Sequence, residues 1–322
     1  MNLDFKIIDS HVHFPVKGEG PSYVMQKYVE EFGKEKLSII QEKNKYQQDK
    51  WRLAWGFDSP EPTSEDIKVT AKKWIDEVEK NHIDKVIFVT AGNYETSNKN
   101  MEEIVSMYPD KFIGYAYHNP FGENAADELE RAITKGKLSG FKILAPDLTG
   151  RIDDKSLYPL WEVANKYKVP VLIHFGVLGG AGGIANHVNI SPMMIHDVAR
   201  AFPEVPFIVP HFGCGQLEDA LQLAWVCPNI YIDTSGSNQW IRWMPYSLTI
   251  KDLFKKYYET IGPQRIIFGT DSSYFPRGFA KRYFEDQLRD CIELGMNEAD
   301  IKMIFRENMA FLLNITTNKI DW

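Results

Sequence analysis

Two histidines one residue apart, His11 and His13 in the run DSHVHF, are the first residues in this chain whose spacing suggests chemistry. On extended backbone, alternate side chains share a face, so both imidazoles can reach one metal ion. That spacing alone is common and weak. Other residues of ligand type close other apolar runs: His174 in VLIHFG, His211 in VPHFG and Asp271 in FGTDSS. Neutral imidazoles with one carboxylate are the N and O ligands that a borderline-soft divalent cation takes, leaving it charge to polarise water.

These residues converge only if the elements carrying them share one rim. Eight short runs rich in Val, Ile and Phe recur along the chain, most of them followed by a stretch with helical spacing. They are Phe5–Asp9, Lys85–Thr90, Phe112–Tyr117, Gly140–Ala145, Val169–Phe175, Pro206–His211, Ile230–Thr234 and Arg265–Gly269. The pattern predicts an α/β fold, a closed (β/α)8 TIM barrel, with the histidines and Asp271 at the carboxyl ends of strands, where such barrels carry their sites. Ordinary structural histidines have no reason to gather there.

Between the first two strands, Ile67, Ala71, Trp74, Ile75 and Val78 fall at steps of three and four, an outer helix with Ser64 and Asp66 as candidate caps. Later helices are expected to open at Ser156, Ser191 and Thr249, and a final helix to run from Asn297 to Leu313. Residues 15–63 are too many for an ordinary loop and read as an insertion, with room for a helix of its own, over the barrel mouth within a single 1–322 domain. The insertion carries Trp51, Arg52 and Trp55 in WRLAW.

Further candidates follow the strand ends. Arg52, Arg242 and Arg277 suit a substrate carboxylate, which guanidinium binds bidentately, although each could equally form a surface ion pair. Trp51, Trp55, Trp240 and Trp243 would wall a planar substrate, and His118 in YAYHNP faces the mouth as a substrate contact or a loop anchor. Lys142 in GFKIL would hold substrate or pair with an acid. His82, His187 and His196 carry no assigned role. The glycine-rich residues 176–183 lack the Lys-Ser/Thr of a P-loop and read as a loop beside His174.

Several segments together resemble the amidohydrolase superfamily, in particular its group of aminocarboxymuconate-semialdehyde decarboxylase-like enzymes: IDSHVHF, YPDKFIGYAYHNP, GFKILAP, FPEVPFIVPHFG, PNIYIDTSG and RIIFGTDSSYFP. The resemblance runs nearly end to end. It implies that His11, His13, His174 and Asp271 ligate one divalent metal, zinc or alternatively manganese, while His211 and Asp271 serve as acid/base groups. Arg52, Trp55, His118, Lys142, Arg242 and Arg277 remain the candidate substrate contacts read from their positions, and the resemblance implies a possible homodimer. Binuclear relatives use a carboxylated lysine on the fourth strand; Lys142 lies within its strand rather than at the extreme end, and one ion is expected. The implied reaction on a small carboxylated molecule is hydrolysis or non-oxidative decarboxylation. Hydratase, phosphoesterase or deoxyribonuclease chemistry and a non-catalytic ligand-binding barrel are the alternatives.

Composition narrows these. Lys plus Arg number 37 against 44 Asp plus Glu, a net charge of −7 that repels a phosphate backbone and disfavours polymeric nucleic acid as partner. Three cysteines without ligand spacing fit a reduced, cytoplasmic chain. The opening residues lack a basic region followed by an apolar run, so no export signal is expected, nor any membrane span.

Overall fold

The computed structural model describes residues 3–17, 23–177, 187–236 and 240–315. Among them, eight parallel strands appear in chain order: β1 (Ile7–His13), β2 (Ile83–Thr90), β3 (Phe112–Gly114), β4 (Phe141–Leu144), β5 (Val171–His174), β6 (Phe207–Val209), β7 (Ile230–Asp233) and β8 (Ile266–Ile267). Continuous pairing runs β1-β2-β3 and β4-β5-β6-β7-β8. Single parallel bridges join the two arcs, Ala116 with Phe141 on one side and Val12 with Ser272 on the other, so the ring closes as the (β/α)8 barrel.

Strand parity sorts the side chains. On β5, Val171 and Ile173 join the cluster packed against the outer helices, while Leu172 belongs to a separate inner cluster with Ile8, Ile208, Tyr231 and Ile267. Met309 and Leu312 join this inner cluster from the terminal helix. Because side chains alternate with period two, His174 stands one layer above Leu172 in the lumen, and Asp233 one layer above Tyr231. Lys142 pairs in register with Leu172, which puts a lysine in the otherwise apolar layer.

The helices are α1 (Tyr23–Phe32), α2 (Lys34–Trp55), α3 (Ile67–Lys80), α4 (Ser97–Met107), α5 (Ala125–Thr134), α6 (Tyr158–Tyr167), α7 (His196–Ala201), α8 (Leu217–Val226), α9 (Ile250–Ile261), α10 (Lys281–Glu293), α11 (Glu298–Lys302) and α12 (Asn308–Leu312). The periodic residues of α3 are buried as the spacing requires, and Asp66 rather than Ser64 caps it by accepting from the Lys68 amide. Asp154, not Ser156, accepts the amide at the turn before α6, because the carboxylate lies two residues upstream of the donor. Ser191 caps a short 3-10 turn before α7. Instead of one helix from Asn297 to Leu313, a π-helical turn over Met303–Glu307 separates α11 from α12.

The 15–63 insertion contains two helices, α1 and α2, where one was expected. The end of α2 is anchored on the segment that follows β8: Trp51 clusters with Ala280 and Tyr283, and the Trp55 ring meets Tyr283 edge-on at 5.6 Å. Arg282 donates to the Trp55 carbonyl at 2.5 Å and lies over its ring. Among the described residues no helix is long and apolar enough to cross a membrane.

At the start of α9, Thr249 accepts the Asp252 amide and Asp252 accepts the Thr249 amide, a complete capping box. Thr249→Ala should therefore lower the unfolding free energy by about 1 kcal/mol, measured by urea denaturation with an unchanged slope.

Candidate active site

The centre of the site is a hydrogen-bonded imidazole. Nδ1 of His11 meets Asp233 Oδ2 at 2.7 Å, both side chains fully buried. Donating from Nδ1 to the carboxylate leaves the His11 lone pair on Nε2, and that atom is buried with no hydrogen-bond partner. It faces Asp271 Oδ1 at 3.9 Å, and Nε2 of His13 approaches the same oxygen at 3.3 Å. Nδ1 of His13 is held by the Thr90 hydroxyl at 2.6 Å. One ligand atom from each of His11, His13 and Asp271 lies within 4.8 Å of the others. A carboxylate behind one imidazole and a hydroxyl behind the other is the support that orients metal-ligating histidines.

Protonation agrees with this geometry. Burial drives the His11 pKa well below its ordinary value, with the charges of Lys142 and His211 acting the same way. Burial and the neighbouring His211 do the same for His174. Burial alone would raise the Asp271 carboxyl, yet the hydrogen bond from His13 and the charges of His211, His11 and His13 hold it well below the usual range. The neutral imidazole of His11, its Nε2 lone pair buried and orphaned beside the ionised Asp271, fits a divalent cation.

His211 stands beside this trio. Its ring centre is 5.0 Å from that of His11 and 4.9 Å from that of His174. Nδ1 lies 2.8 Å from the Ser235 carbonyl oxygen, which accepts its proton, so Nε2 points at Nδ1 of His174, 3.1 Å away. Nε2 of His174 lies 3.4 Å from the Val177 carbonyl oxygen. In this geometry His174 contacts His211 rather than the His11, His13 and Asp271 cluster.

The backbone carrying these groups is strained. His211 (φ 59°) and Asp271 (φ 58°) adopt left-handed conformations that non-glycine residues rarely take. The Trp240 indole donates to the His211 carbonyl at 2.8 Å, and Arg277 Nη2 donates to the Asp271 carbonyl at 2.7 Å. Gly236 is required by space: a Cβ there would come within 2.7 Å of Asp271 Oδ2 and 3.1 Å of His211 Nδ1.

Of the other candidates, Arg277 and Arg52 lie toward this side, each with its Nε buried and unpartnered. Arg277 lies over the rings of Tyr274 and Phe57, while Arg52 pairs with Asp49 one turn earlier. Trp55 is half-buried against Tyr283, whose hydroxyl is buried without a partner. Arg242 is exposed over Trp243. His118 is turned into the wall, with Nε2 on the Ala125 carbonyl at 2.9 Å and Nδ1 facing Asn98. Exposed His82, exposed His187 and His196, paired with its neighbour Asp197, lie apart from the cluster. Most of residues 176–183 fall outside the described residues.

Lys142 is fully buried, and its ammonium nitrogen has no partner. Burial lowers its pKa to about 8, against the opposing pull of Asp271 and Asp233. Asp233, Ser235, Gly236 and Thr90 carry out positioning that the sequence reading did not assign. Asp233 had a signal, an acid closing the seventh strand in IYIDT.

With this geometry established, the chain can be placed among known proteins. The amidohydrolase family profile (Amidohydro_2) matches residues 8–315. The chain belongs to the amidohydrolase family. A segment is 24% identical over 193 residues to Protein fluG of Emericella nidulans, covering 52% of this chain and 21% of that protein, so the match spans about a fifth of its length. An uncharacterised TIM-barrel protein of Bordetella bronchiseptica superposes with a TM-score of 0.67 at 18% identity, over 96% of this chain and 99% of that one. A 5-carboxyvanillate decarboxylase of Novosphingobium aromaticivorans, solved with manganese and 4-hydroxy-3-methoxy-5-nitrobenzoic acid, gives 0.62 at 15% identity over 97% and 96%.

Lys142 gives a stability prediction. The unfolded chain keeps a proton at Lys142 up to its ordinary pKa of 10.5, whereas the folded protein releases it near 8. Stability therefore rises with pH between these values and carries the full penalty below 8. Lys142→Met should remove that dependence and raise stability at pH 7 by roughly 3 kcal/mol, measured by denaturant unfolding across the window.

Proposed function

We propose that this chain is a metal-dependent enzyme that catalyses non-oxidative decarboxylation of a small aromatic carboxylate, with one divalent cation held by His11, His13 and Asp271 and with His174 completing the set once its ring turns from His211. The observation that carries the substrate class is the buried Lys142 ammonium, which has no partner and feels the pull of Asp271 and Asp233, together with the buried, unpartnered Nε atoms of Arg52 and Arg277, whose other nitrogens bond Asp49 and the Asp271 carbonyl. Such groups are costly in the folded protein unless a ligand anion meets them. Trp55, Phe57 and Tyr283, packed with the end of α2, offer flat apolar surface for a ring. The similarity to a decarboxylase solved with an aromatic acid supports the same reading.

A bound cation supplies Lewis acidity toward substrate oxygens and lowers the pKa of coordinated water. Neutral nitrogen ligands with one carboxylate suit zinc, and manganese in the decarboxylase neighbour makes it the second choice. The chain's own residues do the rest. In this reading Arg52 and Lys142 hold the substrate carboxylate, and Trp55 orients the ring. As the carbon–carboxylate bond breaks, its electron pair remains on the ring carbon and carbon dioxide leaves. The carbon then takes a proton that solvent supplies and that Asp271 or His211, at Nε2, relays. Asp233 acts through His11 and Arg277 through the Asp271 backbone, so both are positioning residues. The 1–322 chain would function as one catalytic unit, with residues 15–63 forming the cover that brings Arg52 and Trp55.

The same His211 and Asp271 pair also suits hydrolysis, in which one group activates water and the other protonates the leaving group. A panel of hydroxylated benzoates, amides and lactones, assayed with zinc and with manganese, distinguishes the two by release of carbon dioxide or appearance of a new carboxylate. Carbon dioxide from a benzoate is the expected result; turnover confined to amides or lactones would contradict it. His211→Ala should keep one ion per chain while losing turnover by about 10²–10⁴-fold, whereas loss of the ion would move His211 into the ligand set.

A further inference from the structure

Three consecutive residues at the end of β7 serve both central histidines of the site. Asp233 Oδ2 holds Nδ1 of His11 at 2.7 Å, and the Ser235 carbonyl accepts from Nδ1 of His211 at 2.8 Å. The Ser235 hydroxyl lies between the same two nitrogens, 3.1 Å from His11 and 3.0 Å from His211. Asp233 and Ser235 are themselves joined, the Ser235 amide donating to Asp233 Oδ1 at 2.5 Å. Thr234 lies between them, and strand alternation turns its side chain to the opposite face, toward the outer helices.

There Thr234 meets Gln287 of α10. Oε1 of Gln287 accepts from the Thr234 hydroxyl at 2.7 Å, and Nε2 donates to the Thr234 carbonyl at 3.2 Å. A carbonyl can only accept, which fixes the way the amide points. The Thr234 amide donates to the Ile267 carbonyl at 2.9 Å, so β8 holds this residue on one side and α10 on the other. Gln287 and Thr234 are both fully buried. A buried amide gives up its hydration and its rotamer freedom for bonds to protein alone. An apolar residue would fill the space between α10 and the barrel without that cost, as the neighbouring Leu288 does.

We propose that Gln287 is a positioning residue for both histidines: by gripping Thr234 it sets the Asp233 carboxylate behind His11 and the Ser235 carbonyl behind His211. Both rings then keep the proton on Nδ1 and turn Nε2 inward, toward Asp271 in one case and His174 in the other. A rotation of the Thr234 peptide would move both acceptors at once, because a single residue separates them. The two histidines therefore respond together to a change at Gln287. His13 and His118 are held by other elements, the Thr90 hydroxyl and the Ala125 carbonyl, and serve as internal references. This proton placement does not rest on the decarboxylase reading.

The test combines ring-nitrogen NMR of the metal-free full chain with manganese titration of the same preparation. In Gln287→Leu the Nδ1-protonated signals of His11 and His211 should both give way to mixed tautomers, while those of His13 and His118 stay unchanged. Manganese affinity should fall about 10-fold, as when support behind a ligand is lost. Thr234→Val, which removes the hydroxyl and keeps the bond to the carbonyl, should shift both rings the same way by less. The double variant should bind no more weakly than Gln287→Leu alone, since both changes break one junction. Leu288→Ala, buried beside Gln287, is the control for destabilisation: it should lower the urea midpoint and leave tautomers and affinity as in wild type. If Gln287→Leu does not fold, Thr234→Val carries the same two readouts. Unchanged rings in the folded variants, a change at one histidine only, or an equal loss of affinity in Leu288→Ala would each overturn the proposal. A wild-type chain that bound no manganese would contradict the cation reading alone, and the ring signals would still decide the role of Gln287.

Discussion

One backbone hydrogen bond ties the two ends of the barrel where the chemistry is assembled: the Asp271 amide donates to the His11 carbonyl at 2.9 Å. The bond from the His13 amide to the Ser272 carbonyl, 2.8 Å, lies beside it. Together they join the first strand to the segment after the last, residues more than 250 positions apart. Without that closure the paired histidines of β1 and the carboxylate after β8 would belong to separate edges. With it, the Asp271 carboxylate is brought beside both imidazoles, and the left-handed backbone at Asp271 is held in place.

The remaining architecture reads as support for this junction. Leu172, Ile208 and Tyr231 form an apolar layer, and the polar groups one step further along β5 and β7 stand above it, as strand parity dictates. Asp233 fixes the ring of His11 so that the unprotonated nitrogen faces inward. The site carries two evident costs, left-handed backbone at His211 and Asp271 and a buried, unpartnered Lys142 within the apolar layer. A fold selected for stability alone would have placed a leucine there. Structural cost concentrated where ligands are expected is the mark of a site that trades stability for chemistry.

The fold was legible because its signals are local and repeated: eight β-rich runs, helical spacing between most of them, and polar ligand types closing several runs. The cluster of His11, His13 and Asp271 could be anticipated because strand ends in a closed barrel share a rim. Asp233 and Gly236 were harder to read, since their importance lies in what they face across the barrel, a relation that spacing along the chain does not encode. The second helix of the insertion was missed because α2 is apolar on two faces and its inward periodicity is blurred. The cap before α6 was misplaced by two residues, and the π-helical turn after α11 leaves almost no trace in a periodic pattern. His118 shows the complementary limit: position at a strand end does not determine where a side chain turns, and this one bonds into the wall.

The account rests on His11, His13 and Asp271 jointly holding a divalent cation. The most direct measurement is anomalous diffraction from crystals of the full chain grown with manganese. It should show one peak bonded to Nε2 of His11, Nε2 of His13 and an oxygen of Asp271, and that peak should vanish in Asp271→Ala crystals. A peak seated elsewhere, two peaks bridged through Lys142, or none at saturating metal would contradict it.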